Sequence, residues 1–158
     1  AVAIGGSVSL LIVIGIIFAF SQQIFIFRAS VREQDLDFAA VSPAGESFAS
    51  LGGLKPSYPD GNAPVYVFGD TIEDVPVNVS QQALPDTIKS DPATGVAEIA
   101  KNFNATNTLA AKDLTAYIGT SAKGPQSVIF AKGDTLVLIK SDNKISGPAW
   151  VAYIDSLR

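Results

Sequence analysis

The sequence predicts a long N-terminal α-helix carrying a β-rich globular head, β-sandwich-like and with one or two short helices. Residues 1–27 contain no charged side chain, and the apolar residues that follow recur at helical spacing. Beyond residue 63, short β-branched and aromatic runs alternate with turn residues. On this reading residues 1–42 form a hydrophobic to amphipathic stem, 43–62 a linker and 63–158 the head.

The stem opens with AVAIGGSVSLLIVIGIIFAF, apolar on every side of a helical wheel. Such a helix must be buried all round, in lipid or among like helices. A helix of residues 1–27 is ~40 Å long, against a hydrocarbon core of ~30 Å, so the segment is long enough to span a bilayer. Gly5, Gly6, Ser9 and Gly15 leave room for a neighbouring backbone, as small residues do in packed membrane helices. After Ser21-Gln22-Gln23, the residues Ile24, Phe27, Val31 and Phe38 lie at spacings of three, four and seven, with Arg28, Arg32, Glu33, Asp35 and Asp37 between them. That pattern predicts the same helix continuing as an amphipathic segment and stopping near Ser42-Pro43, where the proline disfavours helical backbone before it.

Residues 43–62 are rich in Gly, Pro and Ser and read as irregular chain. Strands are predicted at 63–71 and 74–81, with Pro76 placing the second at an edge or a bulge. Val96, Ile99 and Phe103 predict a helix over 93–103, and Ala110, Leu114, Tyr117 and Ile118 a second short helix ending at Gly119. SVIFAKGDTLVLIKS (127–141) divides at Lys132-Gly133-Asp134 into a hairpin, and 148–157 reads as a final strand holding Trp150, the sole tryptophan.

Composition narrows the chemistry. With 11 basic and 15 acidic residues and no basic stripe, the chain has no electrostatic footprint for nucleic acid. Cys and His are both absent, which removes disulfides, thiolate nucleophiles, the common zinc ligands and the usual base of serine hydrolases. Asp60-Gly61-Asn62, Glu73-Asp74 and Asp142-Asn143 read as turn residues, and none completes a calcium loop. No GxSxG or SxxK frame occurs. We therefore expect no enzymatic activity, no catalytic residue, no metal and no cofactor. Two N-x-S/T sequons, Asn78-Val79-Ser80 and Asn104-Ala105-Thr106, are candidate glycosylation sites in an exported head.

The chain starts at Ala1 and contains no Met, so an upstream piece is expected to have been removed, either an initiator Met or a leader. A small residue at the start, an all-round apolar segment with Gly and β-branched residues, an amphipathic continuation and a β-rich head together resemble the type IV pilin superfamily. Ala1-Val2-Ala3-Ile4-Gly5-Gly6 is similar to the mature start of archaeal members, the adhesion pilins and archaellins. Bacterial pilins begin with Phe and carry Glu at the fifth position, where this chain has Ala1 and Gly5. Arg28 and Arg32 draw the far end of the run toward the cytoplasm under the positive-inside rule, a bias that a basic leader would balance.

The resemblance implies a structural subunit of an extracellular helical filament, pilus or archaellum, serving adhesion or motility. It implies residence in the membrane before assembly, cleavage by a leader peptidase, an assembly platform, and a homopolymer as the product. Ala1, Ile4, Gly5, Gly6, Ser9, Leu10, Val13, Gly15, Ile17, Phe20, Ile24 and Phe27 would then pack between helices in the filament core. Two other readings suit the same stem: a membrane-tethered extracellular domain acting as an accessory or stator-like envelope protein, and a small subunit of a membrane complex. Filament packing demands small residues at Gly5, Gly6, Ser9 and Gly15, whereas a tether accepts Leu there.

Overall fold

The computed structural model describes residues 29–58 and 63–158. The predicted packing residues from Ala1 to Phe27, like Asp60-Gly61-Asn62, lie outside the described residues. Seven strands form one antiparallel sheet: β1 (Lys55–Ser57), β2 (Val65–Ile72), β3 (Val75–Ala83), β4 (Asn107–Ala110), β5 (Thr115–Thr120), β6 (Gln126–Lys132) and β7 (Thr135–Ser141), in the spatial order β1-β2-β3-β7-β6-β5-β4. Two helices flank it, α1 (Pro92–Asn102) and α2 (Gly147–Ser156).

A single sheet replaces the expected sandwich, and β7 is the reason. Its Thr-Leu-Val-Leu-Ile run is buried throughout, with Val137 and Ile139 joining one apolar cluster and Leu136 and Leu138 the other. A strand apolar on both faces belongs in the middle of a sheet covered on both sides. Pairing with β3 on one side and β6 on the other, β7 fuses the N-terminal and C-terminal strand groups into one layer. The hairpin turns at Gly133 (φ 57°) and Asp134, as the sequence predicts.

The sheet separates two cores. On its first face, Phe68, Val77, Val79, Val128, Phe130, Val137 and Ile139 pack beneath α2 and residues 31–54. On the second face, Val65, Ile129, Leu136 and Leu138 pack beneath α1 and the 3-10 turn at Asp86–Ile88. Gly95 of α1 lies so close to Ile88 that a Cβ there would collide with its side chain. Asp91 caps α1 by accepting from the Thr94 N–H (3.2 Å), and Pro92 occupies the first turn, which needs no donor.

The long N-terminal helix of the expectation is also corrected. No long helix occurs among the described residues, and the amphipathic continuation over 29–42 is not helical. Val31 bridges Leu54, Glu33–Asp35 make one 3-10 turn, and the chain then runs extended across the first face of the sheet. Leu36, Phe38 and Ala40 turn inward while Asp35, Asp37 and Ala39 stay exposed. This is an alternation of two, the strand period. Residues at spacings of three, four and seven also satisfy part of that period, and side chains of the sheet, Gln81 and Thr135, hydrogen-bond the backbone of Val41 and Ala39.

Two further segments differ from expectation. Residues 110–119, read as a second short helix, fall instead in the β4–β5 hairpin, in which Ala116 and Ile118 are buried and Thr115 and Thr120 exposed. Asn107, Thr108 and Thr115 favour this outcome, being poor helix formers or β-branched. Residues 148–157, read as a strand, form α2. Ser146 caps it by accepting from the Ala149 N–H (3.3 Å), Pro148 lies in its first turn, and Trp150 and Ile154 fall four residues apart on the buried side. Trp150 is core, with 0% exposure, but from a helix. Pro76 is accommodated as its missing N–H requires: β3 pairs with β2 there, while pairing with β7 begins only at Val77.

Candidate assembly and modification surfaces

Residues 29–54 carry the chain from the charge-free run onto the head, and side chains hold this arm in place. The Gln81 amide, on β3, accepts from the Val41 N–H (2.7 Å) and donates to the Val41 C=O (3.2 Å), so one buried side chain imitates a paired strand. Thr135 Oγ1 donates to the Ala39 C=O (2.7 Å). Ser42 and Arg158 exchange backbone bonds in both directions (2.9 and 2.8 Å), and the Ala44 N–H donates to the Ser156 C=O (2.8 Å). The arm is thus sewn to β3, to the start of β7 and to the C-terminal residues of the described chain.

At the other end of the arm, the Val31 N–H donates to the Leu54 C=O (2.8 Å), and Leu54 is fully buried. Gly53, at φ 92°, lies beneath Ser30, whose side chain occupies the space a Cβ would need. Val31 is therefore held beside Leu54, the residue directly before the edge strand β1. Phe38 stacks on Tyr66 (5.6 Å, tilted) and Phe48 meets Phe68 edge-on (5.6 Å).

Polar groups buried on this face belong to the scaffold. Gln126 Oε1 accepts from the Ile145 N–H (2.7 Å) and from Trp150 Nε1 (2.9 Å), while its Nε2 donates to Thr120 Oγ1 (3.1 Å). Tyr153 donates to Asp70 Oδ2 (2.8 Å), and burial, followed by that hydrogen bond, pushes its hydroxyl pKa far above the usual tyrosine value. Among the described residues no group of three or more His, Cys, Asp or Glu side chains could hold a metal ion, and no helix is long and apolar enough to cross a membrane.

The second face is only half covered. Beyond the cluster under α1, the register aligns Gly69, Asn78, Lys140, Ser127 and Gly119 in one row across β2, β3, β7, β6 and β5. All five are exposed or half-exposed, and a Cβ at Gly69 would meet nothing. The two sequons fall on this same face. Asn78 is half-buried in the row, in a strand paired on both sides, and its partner Ser80 is 2% exposed. Ser80 Oγ is the one buried side-chain polar atom among the described residues with no hydrogen-bond partner. Asn104 is exposed at φ 54° in the link between α1 and β4, with Thr106 also exposed and Ala105 buried between them. Its carbonyl lies over Gly119, where a Cβ would come within 2.8 Å.

The sequons were visible in the sequence, but the arm's anchors, Gln81, Thr135 and Arg158, carried no local signal, since their partners are distant in the chain. Comparison with known proteins finds no matching family model, no matching curated protein and no matching solved structure.

Proposed function

We propose that this chain is a structural subunit of an extracellular helical filament, pilus or archaellum, that assembles through its apolar N-terminal residues and serves adhesion or motility. The observation that carries the reading is residues 1–27, which contain no charge and lead directly into the head. Apolar surface of that extent has to be buried in lipid or in other chains. An arm fastened by Gln81, Thr135 and Arg158 suits a subunit through which force passes from that segment to the head. In this role the chain resides in the membrane until a leader is removed and a platform adds it to the polymer.

Electron microscopy of material sheared from native cells, with the protein identified by peptide mass spectrometry, tests the proposal. Helical fibres built of this chain are the expected result. Recovery of the chain only as a monomer in the membrane fraction would instead indicate a tethered envelope domain. Substitution Gly6→Leu separates the same alternatives, because Leu adds apolar area for lipid but takes space from a neighbouring backbone. Filament yield is expected to fall while the membrane fraction is unchanged.

A further inference from the structure

We propose that Asn104, and not Asn78, is the glycan acceptor of this chain. The inference rests on the extracellular placement proposed above. Both sequons are equal as sequence. Their surroundings are not.

A transferase has to reach the Asn amide and the hydroxyl two residues on together. Asn104 and Thr106 are both exposed, on a link where buried Ala105 donates its N–H to the Ala100 C=O (3.0 Å) and pins the loop against the head. Asn104 has positive φ, which Asn tolerates better than most residues. Asn78 offers the opposite arrangement. Its strand is hydrogen-bonded to β2 and β7, and Ser80 is buried with its hydroxyl facing no partner, so the folded chain presents half of a sequon.

The reaction needs a sugar donor, a lipid-phosphate-linked oligosaccharide. Asn104 Nδ2 attacks the anomeric carbon, the bond from that carbon to the lipid phosphate oxygen breaks, its electron pair leaves with the phosphate, and one amide proton passes to a base of the transferase. No oxidant or reductant is involved.

The test uses the native chain. Protease treatment of intact cells establishes whether the head is outside, and fragmentation mass spectrometry of its peptides locates any sugar. The expected result is a glycan mass shift on the peptide holding Asn104 and none on that holding Asn78. Both Asn104→Gln and Thr106→Ala abolish the shift, the second leaving Asn104 itself in place, and Asn78→Gln does not. A surface-exposed head with bare Asn104, or with sugar on Asn78, overturns this inference alone. A head protected in intact cells overturns the extracellular reading together with this one.

Discussion

Tyr153 and Gln81 illustrate how single polar groups fasten apolar layers in this head. The Tyr153 hydroxyl is held protonated by burial and by donating to Asp70, so the folded state binds that proton more tightly than the unfolded chain does. Its contribution is therefore complete below the ordinary tyrosine value of 10.0 and is lost as pH rises above it. Tyr153→Phe is expected to cost about 1 kcal/mol near neutrality, the worth of one hydrogen bond. It should also flatten the loss of stability above that pH, as urea unfolding at a series of pH values will read. Gln81→Leu removes the partners of two buried Val41 backbone groups at once. Unsatisfied buried groups cost about 1–3 kcal/mol each, so a loss of about 2–4 kcal/mol is expected, with amide exchange quickening first at Val41.

At the scale of elements, legibility tracked how local each cause was. The β6–β7 hairpin was readable because Gly133 and Asp134 supply its turn and both arms are β-branched or apolar. Helix α1 was readable from Val96 and Ile99, both of which are buried. Helix α2 was mistaken for a strand because PAWVAYI is rich in β-formers, although Ser146 with Pro148 is a helix start and Trp150 and Ile154 keep helical spacing. Residues 29–42 were mistaken for a helix because their extended course depends on Gln81 and Thr135, both distant in sequence. The candidate site followed the same rule: sequons are local and were seen, whereas the burial of Ser80 that distinguishes them is a product of strand pairing and packing. Trp150 tests the corrected element. With 0% exposure and its indole N–H on Gln126, Trp150→Ala should cost about 3–5 kcal/mol by thermal or denaturant unfolding.

The whole molecule has a direction. Its N-terminal arm crosses one face of the sheet, and both sequons stand on the other, so the route to the apolar segment and the modifiable surface are separated by the sheet itself. The arm also belongs to the folded head, which locates the boundary of an independently stable unit. A chain shortened to begin at Ala29 keeps the Val31–Leu54 bridge, the Phe38–Tyr66 contact and the Val41 bonds to Gln81. One shortened to begin at Pro43 loses all of them, exposes part of the first core and leaves the Gln81 amide without Val41. Burial of Val41 and the two Gln81 bonds together are worth ~3 kcal/mol or more. For a domain of this size that difference lowers the thermal midpoint by about 10 °C. Circular dichroism of the longer chain should show a β-dominated spectrum with a single cooperative melt. Equal midpoints for the two chains would mean that the arm is not part of the head's core, and that the clamp of Gln81, Thr135 and Arg158 transmits no load between the apolar segment and the sheet.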